Sequence, residues 1–394
     1  MIVNLVLPQA RWVLAFAAVL SIQLLGSTAR SSDAKRPDYA VQTDGMPAVP
    51  RIVAREVCAW PALARLPDGT LLIVNYNRPS HGRMIGDVDS WVSNDHGQTW
   101  EKRAVAAPHE PNTLTNRMNV ALGALPNGDV LLVASGWSLK PLAAPAEGYE
   151  IDRILRPWVS RTTDRGRTWS IDRQCFPEVS PAGGTHTPFG PIQKGEGGHL
   201  LVPMYDHAIN AKGVSTWDRV YIYRSIDDGR TWGDPVALDP STRLNETALV
   251  YLGSGRWLAF ARSTHLTSYE STDDGRTWKK LGQVTGSFCY PANAIVLADR
   301  RVLLCYGNRT SGDPRVEAQV SADGGRSWSK SIRLVDVPAN PTRGGPEDMG
   351  YPSSVQLPDG QIVTAYYARR NKEYDGYHLA VITWNPTRSN VPSR

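Results

Sequence analysis

The sequence predicts an all-β fold, a six-bladed β-propeller of four-stranded blades, and three observations lead there. An eight-residue turn recurs five times, as "SNDHGQTW" (93–100), "TTDRGRTW" (162–169), "SIDDGRTW" (225–232), "STDDGRTW" (271–278) and "SADGGRSW" (321–328). Its aspartates stand 69, 63, 46 and 50 positions apart, a spacing that suits one turn per blade. Between the turns lie six segments that read as apolar strand, tight turn, apolar strand. The stretches leading into the turns, such as "DVDSWVS" and "RVYIYRS", alternate in the manner of strands with one exposed face.

In chain order, residues 1–29 read as a secretory leader. A positive residue precedes the apolar run "WVLAFAAVLSIQLLG", and small residues follow, ending near Ala29. The run is short for a membrane span. Residues 30–44 read as a linker, 45–386 as the propeller and 387–394 as a tail. Clear inner hairpins are "PALARLPDGTLLIVNY" (61–76), "VALGALPNGDVLLVAS" (120–135), "ALVYLGSGRWLAFAR" (248–262) and "PSSVQLPDGQIVTAYY" (352–367). Asp-Gly and Asn-Gly connections between apolar runs are hairpin signals. Degenerate copies occupy 190–205 and 293–308. In the repeated turn, Asp bonds backbone amides, Gly takes a positive φ, and Trp buries its ring against neighbouring strands. Six inner hairpins but five such turns predict a sixth blade completed by the N-terminal segment "VPRIVARE" (49–56), a circular closure that leaves few exposed edges.

The 394 residues carry a formal charge of +5, spread without a long basic run, which argues against nucleic acid as a partner. Cys58, Cys175, Cys289 and Cys305 are widely spaced, with neither a disulfide framework nor zinc-ligand spacing, so buried free thiols are expected.

Propeller geometry narrows the search for a site. Turn tips share one face, so the opposite face collects first-strand starts and second-strand ends. Nine residues before the hairpin Gly stand Trp60, Asn119, Phe189, Glu246 and Tyr351; past the turn stand Arg78, Trp137, His207, Arg262, Arg309 and Arg369. A Tyr, a Glu, several Arg and aromatic walls around one axis suit an anionic, ring-shaped ligand.

The repeated turns resemble the Asp-boxes of the sialidase (neuraminidase) superfamily, and the likeness covers residues 45–386, in the manner of a divergent bacterial sialidase-like branch. Asp-boxes are specific for the fold rather than the activity, since non-enzymatic propellers carry them too. The resemblance implies that Tyr351, in "MGYPSSVQLPDG", is a nucleophile activated by Glu246, in "LNETALVYLGSG". It implies a substrate carboxylate held by Arg262 and by Arg309 or Arg315, with Arg78, Trp60, Trp137 and His207 as further binding residues. Arginine suits that role because its planar fork bonds a carboxylate twice and stays charged.

Two positions depart from the family pattern. "CAWPAL" (58–63) has Ala59 where the first arginine of a triad belongs, with Arg51, Arg55 or Arg369 as nearby substitutes. Losing one such charge-assisted contact costs about 1.5–3 kcal/mol. The interval that normally holds the acid/base Asp, "RPSHGRMIGDVD" (78–89), offers His81 and, only at the strand, Asp87; Asp206–His207 is another acid pair. The expected function is a secreted or periplasmic exo-glycosidase releasing terminal sialic acid or a related acidic sugar. It would act as a monomer on acidic glycans or glycoconjugates, with no membrane contact after leader removal and no metal or organic cofactor implied. A non-catalytic glycan-binding propeller, and a lyase or hydrolase for another uronate-type sugar, remain open alternatives.

Overall fold

A computed structural model describes residues 40–41, 47–58, 60–142, 149–207, 219–339, 346–371 and 373–386. The expected leader at 1–29, Ala59 and the tail at 387–394 lie outside the described residues. Six antiparallel sheets follow one another along the chain. Blade 1 runs Ala62–Arg65, Leu71–Tyr76, Val88–Ser93, Glu101–Ala107 from the axis outward. Blade 4 (Thr247–Gly253, Arg256–Arg262, Leu266–Ser271, Lys279–Gln283) and blade 5 (Cys289–Val296, Val302–Asn308, Arg315–Ser321, Ile332–Asp336) repeat it. Blade 6 takes Gly350–Gln356, Ile362–Arg370 and Asp375–Trp384 from the end of the chain and its fourth strand, Arg51–Arg55, from the beginning. The N-terminal segment therefore closes the ring as its sequence predicts.

Blades 2 and 3 are less regular. Blade 2 has a long hairpin, Val130–Pro141 with Tyr149–Thr162, that extends past the length of the other second and third strands. Blade 3 begins at Thr185–Pro188, earlier than the hairpin pattern indicates, while Gly190–Pro191 pairs in parallel with the first strand of blade 2. The prolines explain the shift: Pro188 and Pro191 cannot donate to a ladder, so the segment breaks and changes partner.

The core is divided among the blade junctions. Ala64, Leu72, Val74, Val120, Leu132 and Trp158 pack between blades 1 and 2, and Leu63, Ile73, Val363, Leu379 and Val381 between blades 6 and 1. Similar clusters fill the other four junctions. Each fully buried Leu, Ile or Val contributes roughly 1.5–3 kcal/mol of transfer free energy.

The five repeated turns share one bonding pattern. In the third, Ser225 Oγ donates to Asp227 Oδ1 at 2.7 Å and accepts from Gly229 N at 2.8 Å. Asp227 also accepts from Thr231 N at 2.9 Å and Thr231 Oγ1 at 2.6 Å; Trp232 Nε1 donates to Gly229 O at 3.2 Å, a bond the first and fourth turns repeat. Gly229 has φ +79°, and a Cβ there would stand 2.4 Å from Leu131 Cδ1 of the preceding blade. The turn thus needs glycine twice, for its backbone and for its neighbour. The tryptophans pack into the junction cores, though only Trp232 is fully buried; the other four are half-buried, because each turn sits at the rim. All four cysteines are buried free thiols.

Candidate active site

On the face opposite the turn tips, a cavity of about 570 Å³ opens over the axis. Trp60 and Tyr351 of its lining belong to a buried cluster with Tyr76, Tyr367, Cys58 and Met118. Cation, acid and hydroxyl groups meet in the cavity.

Tyr351 is aimed by a local backbone irregularity. Residues 350–353 form a bulge against the neighbouring strand, with Gly350 at φ +101° and Tyr351 itself at φ +52°. A Cβ on Gly350 would lie 2.9 Å from Gly307 Cα, so close approach of blade 5 also demands glycine here. Bulges re-aim a side chain in this way, and a positive φ on a non-glycine residue is strain kept at a site.

The Tyr351 hydroxyl donates to Glu246 Oε1 at 2.5 Å. Arg262 Nη1 donates to the other carboxylate oxygen of Glu246 and, at 3.1 Å, to the Tyr351 hydroxyl oxygen. Burial raises the Tyr351 phenol well above its ordinary range and Glu246 adds to this, while Arg262 and Arg309 pull the other way. The resting group is a neutral phenol beside a base. Burial opposes the charge on Arg262, yet Glu246 and Tyr351 hold it above the usual arginine range. Arg262 also lies 4.0 Å over the Tyr290 ring. Arg309 is buried, with Nε donating to Glu347 O at 2.5 Å and Nη2 3.6 Å from Asp348 Oδ1.

Asp348 is the second focus. Its Oδ1 accepts from the Tyr367 hydroxyl at 2.6 Å and faces His81 Nδ1 at 3.1 Å, while Oδ2 accepts from the Tyr377 hydroxyl at 2.5 Å. Burial alone would raise its pKa, but His81 and the two tyrosines outweigh it and keep the carboxyl ionised far below its ordinary range. The His81 ring packs edge-on to Trp60 with centroids 5.0 Å apart, and Trp60 meets Tyr351 at 5.6 Å. Two polar atoms of the cavity lining, Trp60 Nε1 and Asn119 Oδ1, are buried and bonded to no protein group, one a donor and one an acceptor.

Cys58, His81 and Asp348 place ligand-type atoms within 4.8 Å of one another, the one such set among the described residues. Asp348 already faces three donors and the Arg309 cation, so this carboxylate fits a hydrogen-bonded network better than a metal.

The structure therefore brings together Tyr351, Glu246, His81, Arg262, Arg309, Trp60 and Trp137 from the residues singled out in the sequence. Others stand elsewhere. Asp87 Oδ1 accepts from both N and Nδ1 of His109 at 2.7 Å, which ties two loops together outside the cavity lining. Arg78 Nε donates to Ile85 O at 2.9 Å and lines a separate groove. Arg315, on the third strand of blade 5, pairs with Asp313 and Glu317. Neither Arg51, Arg55 nor Arg369 reaches the cavity lining; Arg55 lies over Tyr374 and Arg369 over Tyr377. Asp206 is buried, and the side chain of His207 lies outside the described residues.

Asp348, Tyr290 and Tyr377 escaped the sequence reading. Blade 5 has Arg300, at φ +71°, where the other hairpins carry glycine, so counting back from glycine skips Tyr290. The repeated aromatic-Pro pairs Trp60–Pro61, Tyr290–Pro291 and Tyr351–Pro352 would have found it.

The profile of the BNR repeat-like domain family matches residues 85–364. Curated protein sequences give no match. Among solved structures, a protein of unknown function from Dyadobacter fermentans is similar with TM-score 0.66 and 22% identity, covering 88% of this chain and 99% of that one. The intramolecular trans-sialidase of Ruminococcus gnavus, solved with oseltamivir carboxylate, gives TM-score 0.61 and 15% identity over 90% of this chain and 99% of that one. Trypanosoma rangeli sialidase in complex with the inhibitor DANA gives TM-score 0.58 and 17% identity over 89% of this chain, which spans 58% of that protein's length. At these identities the likeness is one of fold.

Proposed function

Because this chain belongs to the BNR repeat-like domain family and shares its propeller with sialidases, we propose that it is a glycoside hydrolase that removes a terminal sialic acid or related acidic sugar from glycans. The observation that carries this reading is the 2.5 Å hydrogen bond from Tyr351 to Glu246 in a cavity lined by two arginines. A phenol is a poor nucleophile until a base removes its proton, and Glu246 is in reach to do so. A neutral tyrosine also avoids the repulsion an anionic nucleophile would meet from an anionic sugar. Arg262 and Arg309 supply the cationic face for the sugar's carboxylate. Trp60 and Asn119 offer the polar atoms for its hydroxyls. The leader expected over residues 1–29 supports action outside the cytoplasm, secreted or periplasmic.

The test is release of free sugar from sialyllactose and mucin by the mature protein, with Tyr351→Phe as control. Release that the variant abolishes supports the reading. No release by folded protein that still binds the glycan would replace it with a binding propeller, and products absorbing in the ultraviolet would indicate a lyase.

A further inference from the structure

We infer that His81 is the proton donor to the leaving group and that Asp348 positions it, a pairing that rests on the glycosidase reading above. His81 stands at the cavity rim on a loop fixed by blade 2. Asn116 Nδ2 donates to Gly82 O at 2.7 Å, and a Cβ on Gly82 would lie 2.4 Å from both Met118 Sδ and Trp137 Cζ3. The loop is thus packed in place, not loosely tethered. The imidazole is 43% exposed, open to a substrate, whereas Asp348 beneath it is 7% exposed.

The orientation follows from the bonding. Nδ1 is engaged by Asp348 Oδ1 at 3.1 Å, which leaves Nε2 as the nitrogen for the substrate. A buried carboxylate behind an imidazole fixes its tautomer and stabilises the imidazolium, while remaining ionised itself. Tyr367 and Tyr377 hold that carboxylate from the second and third strands of blade 6, and Arg309 approaches it from blade 5 at 3.6 Å. The Cys58 thiol is the remaining titratable group beside the pair. On the loop of His81 itself, Arg78 is turned onto Ile85 O and Arg83 follows two residues on. Glu246 and Arg262 belong to the same cavity and bond to each other. His81 and Tyr351 both pack on Trp60, so the donor and the nucleophile share one wall.

The step balances. Glu246 takes the phenolic proton as Tyr351 Oη bonds to the anomeric carbon and the bond to the leaving oxygen breaks. Imidazolium Nε2 gives that oxygen its proton, and it departs as an alcohol. Neutral His81 then takes a proton from water as the oxygen of that water bonds to the anomeric carbon. The tyrosyl bond breaks, and the phenolate recovers its proton from Glu246.

Two probes separate this inference from the reading beneath it: 4-methylumbelliferyl α-N-acetylneuraminide, whose leaving group needs little protonation, and sialyllactose, whose leaving group needs it. His81→Gln is expected to lower kcat/KM on sialyllactose by about 10²–10⁴-fold and kcat/KM on the aryl substrate by no more than a few-fold, while kcat falls on both because His81 also serves the water step. Tyr351→Phe should lose both. Asp348→Asn should show the same selectivity between the two probes more weakly, with the loss in kcat rather than in KM. A wild-type thermal midpoint in His81→Gln excludes misfolding. If wild type turns over neither probe, the glycosidase reading falls and takes the donor with it. If wild type is active but His81→Gln keeps its sialyllactose kcat/KM, or loses kcat/KM equally on both probes, His81 is not the donor and the glycosidase reading stands.

Discussion

Tyr351 and Glu246, 105 positions apart in the chain, share a hydrogen bond of 2.5 Å, and Arg262 donates to both of them. Under the proposed glycosidase reading the arginine has two roles available, holding the base in place and facing a substrate carboxylate. Glu246→Gln removes the base and releases Arg262 from its ion pair. The expected result is a kcat lower by about 10²–10⁴-fold with KM no higher than in wild type. A raised KM with unchanged kcat would place Glu246 in binding rather than proton transfer.

Arg309 is held by its Nε bond to Glu347 O and lies 3.6 Å from Asp348, so it is fixed before any ligand arrives. Removing a charge-assisted contact costs about 1.5–3 kcal/mol, so Arg309→Met should raise KM for an acidic sugar roughly 10–150-fold. Substrate whose carboxylate is methyl-esterified should respond much less. Equal losses on both would mean that Arg309 serves the fold rather than the charge.

The turn glycines are the most demanding positions outside the cavity. Gly229→Ala places a Cβ at φ +79° and 2.4 Å from Leu131 Cδ1, whereas Gly233, one residue past the same turn, has open space around it. The first substitution should cost about 1–3 kcal/mol in urea unfolding, and Gly233→Ala well under 1 kcal/mol. Similar midpoints for the two variants would show that the blade contact is dispensable.

Burial alone would raise the carboxyls of Asp95, Asp164, Asp273 and Asp323, but their turn hydroxyls and amides bring each down to about 2. Unfolded aspartates titrate near 3.9. A carboxyl depressed in the folded state stabilises it fully above the unfolded value and loses that contribution as pH falls through the folded one. Thermal midpoints should thus hold down to about pH 4 and fall between pH 4 and pH 2. Asp273→Asn should flatten that fall relative to wild type.

The propeller was legible because its determinants are local and repeated. Asp, Gly and Trp at fixed offsets specify a turn wherever they occur, and five copies leave little else to decide. The closing strand was legible by counting, since five turns for six hairpins leave one blade short. The site was only partly so. Tyr351, Glu246 and Arg262 stand at strand ends, where hairpin counting reaches. Asp348 precedes its strand, and its role comes from Tyr367, Tyr377 and His81, which no spacing connects. By its position before the repeated turn Arg315 fits the family pattern better than Arg309, yet the structure pairs Arg315 with Asp313 and Glu317 and puts Arg309 in the cavity lining.

Blade 6 joins Arg51–Arg55 to Asp375–Trp384, so this ladder cannot form until the third strand of blade 6 has been made. During synthesis, the first five blades emerge before the partner of the opening strand exists. Until then the nascent ring shows an unpaired edge, and another copy's final strand has the same sequence as the correct one. Closure within one chain competes with exchange between chains, and dilution favours the former. The feature that leaves the finished ring without open ends also makes its assembly sensitive to concentration.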